Sequence, residues 1–113
     1  MFIIRCRENG DIIDHSLYEG DAHLKRIMYE NDDRVDGSFS TNFYEVVEYK
    51  TYIYDKRMRE YLDLCEYIPG EKNTYIFKEV RNSEIKYKLS EDEILDYYGG
   101  AEFLRRWKKN HAN

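Results

Sequence analysis

Ser90-Glu91-Asp92-Glu93-Ile94-Leu95-Asp96-Tyr97-Tyr98-Gly99-Gly100-Ala101-Glu102-Phe103-Leu104-Arg105-Arg106-Trp107-Lys108-Lys109 is the stretch on which the reading of this chain turns. Ser90 and Glu93 form an S-x-x-E capping box, in which each side chain satisfies a backbone N–H that a helix start leaves without a partner. Acidic residues fill the first turn (Glu91, Asp92, Glu93) and basic residues the far end (Arg105, Arg106, Lys108, Lys109), the arrangement a helix dipole favours. Ile94, Leu95 and Tyr98, then Phe103, Leu104 and Trp107, recur at three- and four-residue spacing and make one apolar stripe. Gly99 and Gly100 interrupt it, and each costs roughly 1 kcal/mol against alanine in a helix interior. The pattern predicts two short helical pieces hinged at the glycine pair. Trp107, the single tryptophan, is expected in the core, so that Trp107→Ala costs roughly 3 to 5 kcal/mol.

The residues before this tail read as a hairpin. Thr74 to Val80 and Glu84 to Leu89 are strand-like runs around Asn82-Ser83, the second alternating Ile85, Tyr87 and Leu89 with Glu84, Lys86 and Lys88. Pro69-Gly70 closes the segment before it. There Met58, Tyr61, Leu62, Cys65 and Ile68 follow helical spacing, which predicts a helix, although Leu62 and Leu64 also suit a strand. Phe43 to Tyr54 is rich in β-branched and aromatic residues and predicts one long strand.

At the amino-terminal end, Asn9-Gly10 between apolar runs predicts a β-hairpin over Phe2 to Leu17 with a two-residue turn. That turn sets Phe2, Ile4 and Cys6 on one face with Leu17, His15 and Ile13, and places Arg5 opposite Asp14. Asp21 reads as an N-cap, followed by a short helix that buries Leu24, Ile27 and Met28 and stops near Asn31. Asn31 to Gly37 reads as an acidic loop; it departs from the calcium-loop pattern, since Arg34 and Phe43 fall where ligands are needed. The fold class is α+β: one domain over 1–113, an antiparallel sheet built from both hairpins and the Phe43 strand, with helices packed on one face.

Composition narrows the function. A chain of 113 residues with 42% hydrophobic and 16% aromatic residues has the makings of an ordered core. Cys6 and Cys65 lack C-x-x-C spacing and read as buried reduced thiols. No run approaches the about 20 apolar residues of a membrane span, and the start does not suit a signal peptide, so a soluble intracellular protein is expected. Residues 1 to 50 hold 6 Lys/Arg against 11 Asp/Glu, whereas residues 51 to 113 hold 12 of each. Such an acidic balance disfavours sequence-independent nucleic-acid binding and suits a partner with a basic surface.

The catalytic inventory is thin. His15, His23 and His111 share no metal-ligand spacing, and no P-loop, dinucleotide fingerprint or nucleophile elbow occurs. The reading is a non-enzyme with no cofactor and no metal. Partner-binding candidates are Glu30, Asp32, Asp33 and Asp36 of the acidic stretch, with Tyr52 and Tyr54 from a tyrosine-dense region that also holds Tyr44, Tyr49, Tyr61 and Tyr67. The alternative is a nucleic-acid-binding regulator that uses Arg105, Arg106, Trp107, Lys108 and Lys109 to stack on and neutralise a strand.

Ser90 to Tyr98, followed by Trp107 and basic residues, resembles segments of small uncharacterised proteins encoded by bacteriophages and prophages of low-GC bacteria. In those proteins the segment usually lacks the Gly99-Gly100 pair. The resemblance implies an accessory protein in the cytoplasm of an infected or lysogenic host, a class that works by stoichiometric binding of a host protein, including inhibition of defence nucleases.

Overall fold

The computed structural model describes residues 1–111. The chain is α+β, with seven strands in two antiparallel sheets and three helices among the described residues. Contacts gather it into two compact units, residues 1–49 and residues 50–113. The strands expected to share one sheet are divided between these units.

The first unit is built from β1 (Phe2–Cys6), β2 (Ile12–Ser16), α1 (Glu19–Asp36) and β3 (Tyr44–Glu48). β1 is the central strand, with β2 and β3 antiparallel on either side. Ile3 and Ile4 of β1 are fully buried. The hairpin is present, but its turn is not the two-residue one. Four residues, Arg7 to Gly10, are enclosed by Cys6 N–H donating to the Asp11 carbonyl at 2.8 Å and Gly10 N–H donating to the Cys6 carbonyl at 2.9 Å. Asn9 spends its side chain on the Asp11 N–H at 2.9 Å, and Gly10 takes φ +75°. A bulge between Ile4 and Arg5 then shifts the pairing, so Ile4 faces Asp14 and Ile3 faces His15. One residue of shift exchanges the two faces of β2. His15 therefore leaves the Ile4 face, and Arg5 pairs with Glu45 at 2.6 Å instead of Asp14.

α1 overturns two expectations. It starts after Tyr18, so Asp21 lies inside its first turn and is not the cap. It also runs through the residues read as an acidic loop and ends at Gly37, whose φ of +78° closes the helix with Gly37 N–H on the Arg34 carbonyl and Ser38 N–H on the Asp33 carbonyl.

The second unit is a meander, β4 (Tyr52–Asp55), β5 (Glu60–Ile68), β6 (Thr74–Glu79) and β7 (Lys86–Ser90), in that order across the sheet. The long strand expected over Phe43 to Tyr54 breaks at Lys50-Thr51 into β3 and β4. The expected helix over Met58 to Ile68 is β5. Its apolar residues imitate helical spacing because a bulge at Cys65 joins two strand segments out of phase: Leu62 and Leu64 face Glu79 and Phe77, and after the bulge Tyr67 faces Tyr75. Cys65 is exposed there, whereas Cys6 is buried, and both thiols are free.

β7 runs into the capping box as the sequence predicts. Ser90 Oγ accepts from Glu93 N–H at 3.2 Å, and Glu93 Oε1 accepts from Ser90 N–H at 3.1 Å. α2 (Glu91–Ile94) is a single turn, and α3 (Gly100–Asn110) follows the glycine hinge. Gly99 sits at φ +80°. A Cβ on Gly100 would lie 1.8 Å from the Ile94 carbonyl oxygen, so only glycine allows α3 to begin there. Phe103 and Leu104 of α3 and Ile94 of α2 complete a core with Ile53, Leu62, Tyr75, Phe77 and Leu89, all on one face of the sheet.

Candidate functional site

α1 packs against all three strands of its sheet, yet the side chains that reach the sheet are largely polar. Ala22 is fully buried and lets the helix approach closely. Tyr29 donates its hydroxyl to Asp14 at 2.9 Å, Lys25 donates to the His15 carbonyl at 2.7 Å, and Asp33 accepts from the Tyr44 hydroxyl at 2.7 Å. Arg26 pairs with Glu30 at 2.5 Å along the same side. Burial pulls the Asp14 carboxyl upward, but the His15 amide, the Tyr29 hydroxyl and the Lys25 charge outweigh it and hold the group below the usual carboxylate range. Tyr44 is pushed up to about 12, first by burial and then by its bond to Asp33.

The residues expected to be buried point the other way: Leu24 is 61% exposed, Ile27 42% and Met28 64%, and Val35, expected in an acidic loop, extends them at 86%. At 100° per residue these four fall, with Asn31, within one stripe about 100° wide, diametrically opposite the Ala22, Tyr29 and Asp33 side. Contiguous large apolar side chains in water are the informative departure from ordinary surfaces, where apolar residues are scattered. Asp21 and Asp32 flank the stripe on one side, His23 and the exposed Arg34 on the other, and Asp36 lies at its end. Asp21, Asp32 and Asp36 have no ion-pair partner among the described residues, whereas His23 lies 3.7 Å from Glu19. Residues 1–49 hold 5 Lys/Arg against 11 Asp/Glu, so the surroundings are acidic as well.

Of the partner-binding candidates, Asp32 and Asp36 are exposed on α1, while Glu30 and Asp33 are turned toward its sheet-facing side and engaged there. Tyr52 and Tyr54 belong to β4 of the second unit. Tyr54 packs on Tyr61 with ring centroids 4.7 Å apart and bridges to Tyr98 through its backbone. The spacing of Leu24, Ile27 and Met28 predicts a helical stripe, but its outward orientation and its extension to Val35 are not legible in that pattern. The signal for the extension lies further along: Val35 lies seven residues after Met28 and Gly37 stands at a C-cap distance, which together extend the helix through the acidic run.

The basic tail is differently disposed. Arg105 and Arg106 both bind Glu102, at 2.6 Å and 3.0 Å, and Lys108 binds Glu91 at 2.9 Å. Lys108 leads in holding the Glu91 carboxyl down; burial opposes it, and Asn73 and the Tyr75 hydroxyl assist. Lys109 is exposed. Trp107 lies half-buried against the core, edge-on to Tyr67 at 5.2 Å and stacked with His111 at 3.7 Å between centroids. Its indole N–H is buried without a hydrogen-bond partner among the described residues. Most of the cationic charge is thus neutralised internally and most of the tryptophan face is occupied by protein.

A cleft of about 450 Å³ in the second unit is lined by Asp55, Glu93 and Asp96 together with Lys56, Arg57, Met58 and Tyr97. Asp55 already accepts the Arg57 and Met58 amides, and no histidine or cysteine enters the lining. Among the described residues no group of three or more His, Cys, Asp or Glu side chains is placed to hold a metal ion, and no helix is long and apolar enough to cross a membrane. No protein family, curated protein or solved structure matches the chain.

Proposed function

We propose that this protein is a stoichiometric protein-binding module that holds its partner on the outward face of α1. The observation that carries the reading is the inversion of that helix: its polar side meets its own sheet, and its apolar side, flanked along one edge by the unpaired carboxylates of Asp21 and Asp32, meets solvent. Leaving Leu24, Ile27, Met28 and Val35 in water forgoes roughly 1.5 kcal/mol or more per side chain, which burial against a partner restores. Acidic rim residues favour a partner with a basic surface and speed its encounter. The finer identity, a phage-type accessory protein that inhibits a host protein such as a defence nuclease, rests on the resemblance of the Ser90 to Tyr98 segment.

The test is affinity capture from a bacterial host lysate with tagged protein, after nuclease treatment and at two salt concentrations, beside the double variant Leu24→Asp/Met28→Asp. Both positions are exposed, so the variant is expected to keep the fold, which its circular dichroism spectrum and melting curve check. One host protein recovered at near-equal stoichiometry by the natural chain and lost with the variant is the expected result. In a parallel capture without nuclease, recovery of nucleic acid that washes off with salt, unaffected by the variant, with no host protein held in the treated lysate, sinks this reading in favour of the tail.

A further inference from the structure

Resting on the reading of α1 as the binding surface, we propose that its ligand is a basic amphipathic helix of about three turns in a partner protein. From Leu24 to Val35 the stripe runs eleven residues, about 16 Å along the axis at 1.5 Å per residue. A helix laid nearly along α1 repeats its side chains with the same period, so its ridges seat between Leu24, Ile27, Met28 and Val35 over the whole length. An extended strand, rising about 3.3 Å per residue, keeps no such register.

The rim selects the sign. Asp21 and Asp32 stand eleven residues apart on one flank, three turns along the same line, with no cation among the described residues to neutralise them. Lysines or arginines flanking the apolar seam of the incoming helix reach both. A second copy of this chain is a poor occupant: antiparallel pairing about the middle of the stripe brings Asp21 and Asp32 of both copies to the same flank of the seam, and like charges gathered there repel. An anionic membrane surface is repelled by the same carboxylates.

Three synthetic 18-residue peptides test this: leucines at i, i+3, i+4 and i+7 with lysine elsewhere, the same pattern with glutamate, and the leucine–lysine composition in non-periodic order. Fluorescence anisotropy reads affinity on the full chain, and backbone amide shifts locate the site. The periodic lysine peptide is expected to saturate at one per chain with shifts confined to α1, and the other two to bind at least about tenfold more weakly. Met28→Asp is expected to weaken it about tenfold or more, and Asp21→Asn/Asp32→Asn about three- to tenfold with a flatter salt dependence. Equal binding of the periodic and scrambled lysine peptides, indifferent to Met28→Asp, overturns the helix ligand. So does self-association of the natural chain that Met28→Asp abolishes, which assigns the stripe to a second copy. If the peptide fails while lysate capture still depends on Leu24 and Met28, the ligand is wrong and the binding surface stands; if neither depends on them, both readings fall.

Discussion

α1 and α3 each lie on one face of an antiparallel sheet, and they are attached by opposite means. α3 buries Phe103 and Leu104 in an aromatic core with Tyr75 and Phe77, and turns Arg105, Lys108 and Lys109 outward. α1 reaches its sheet with Ala22, Lys25, Tyr29 and Asp33, and turns Leu24, Ile27, Met28 and Val35 outward. Hydrophobic burial, at roughly 25 cal/mol per Å², holds the first, whereas net hydrogen bonds of about 1 kcal/mol each hold the second. An amphipathic helix is therefore no guide to its own orientation. The sheet beneath decides, and the apolar side that it refuses becomes a surface for something else.

The widest gap between the two helices is expected on truncation. Phe103→Ala should cost about 3 to 5 kcal/mol in chemical denaturation, while Leu24→Ala should stay within about 0.5 kcal/mol. A loss at Leu24 as large as that at Phe103 would mean that the stripe is covered within the chain. Half-buried Trp107 should fall below Phe103 on the same scale, a smaller loss than its sequence context alone suggests.

The glycines at the starts of the two helices differ in the same sense. Gly100→Ala forces a methyl group against the Ile94 carbonyl and is expected to cost more than about 2 kcal/mol, because backbone must move to admit it. Gly20→Ala, in the first turn of α1 with open space around it, is expected to stabilise by about 0.4 to 1 kcal/mol. Equal effects at the two sites would break the picture of a tight hinge before α3 and an uncrowded start to α1.

A loss smaller than those at Phe103 and Gly100 is electrostatic. Asp14 titrates below its ordinary value in the fold, so the stability it contributes is present above its unfolded pKa and is lost as pH falls through the lower folded value. Tyr29→Phe removes one of the bonds that hold it down, and should cost roughly 1 to 2 kcal/mol at neutral pH while making the loss of stability below about pH 4 shallower. At the basic end Tyr44 and Tyr87, each pushed up to about 12, keep their protons while the unfolded chain releases its own near 10. Stability contributed by both hydroxyl bonds should therefore decline between about pH 10 and 12, as circular dichroism melts across that range will show.

How much of this was legible in the chain differs by region. The Ser90–Glu93 box, the glycine hinge and the β6–β7 hairpin are where their residues said they would be, because a cap, a left-handed glycine and an alternating strand are each specified within a few neighbouring residues. Gly37 and Val35 carried the true end of α1 in the same way, but the acidic run Asn31 to Asp36 around Val35 resembles a loop when composition is weighed ahead of periodicity.

Local sequence signals are enough to specify the α+β class, the start of α2, the break before α3 and the acidic character of the first half. The partition of strands into two sheets, the bulge at Cys65 that turns an apparent helix into β5, the shifted register of β2 and the outward stripe of α1 emerge only from the folded chain. Each of those depends on partners far away in sequence: Phe77 and Tyr75 for β5, and Asp14 and Tyr44 for α1. A periodic pattern states that a side chain has a face. Which face is buried is a property of what lies opposite, and that is settled only when distant segments of the chain meet.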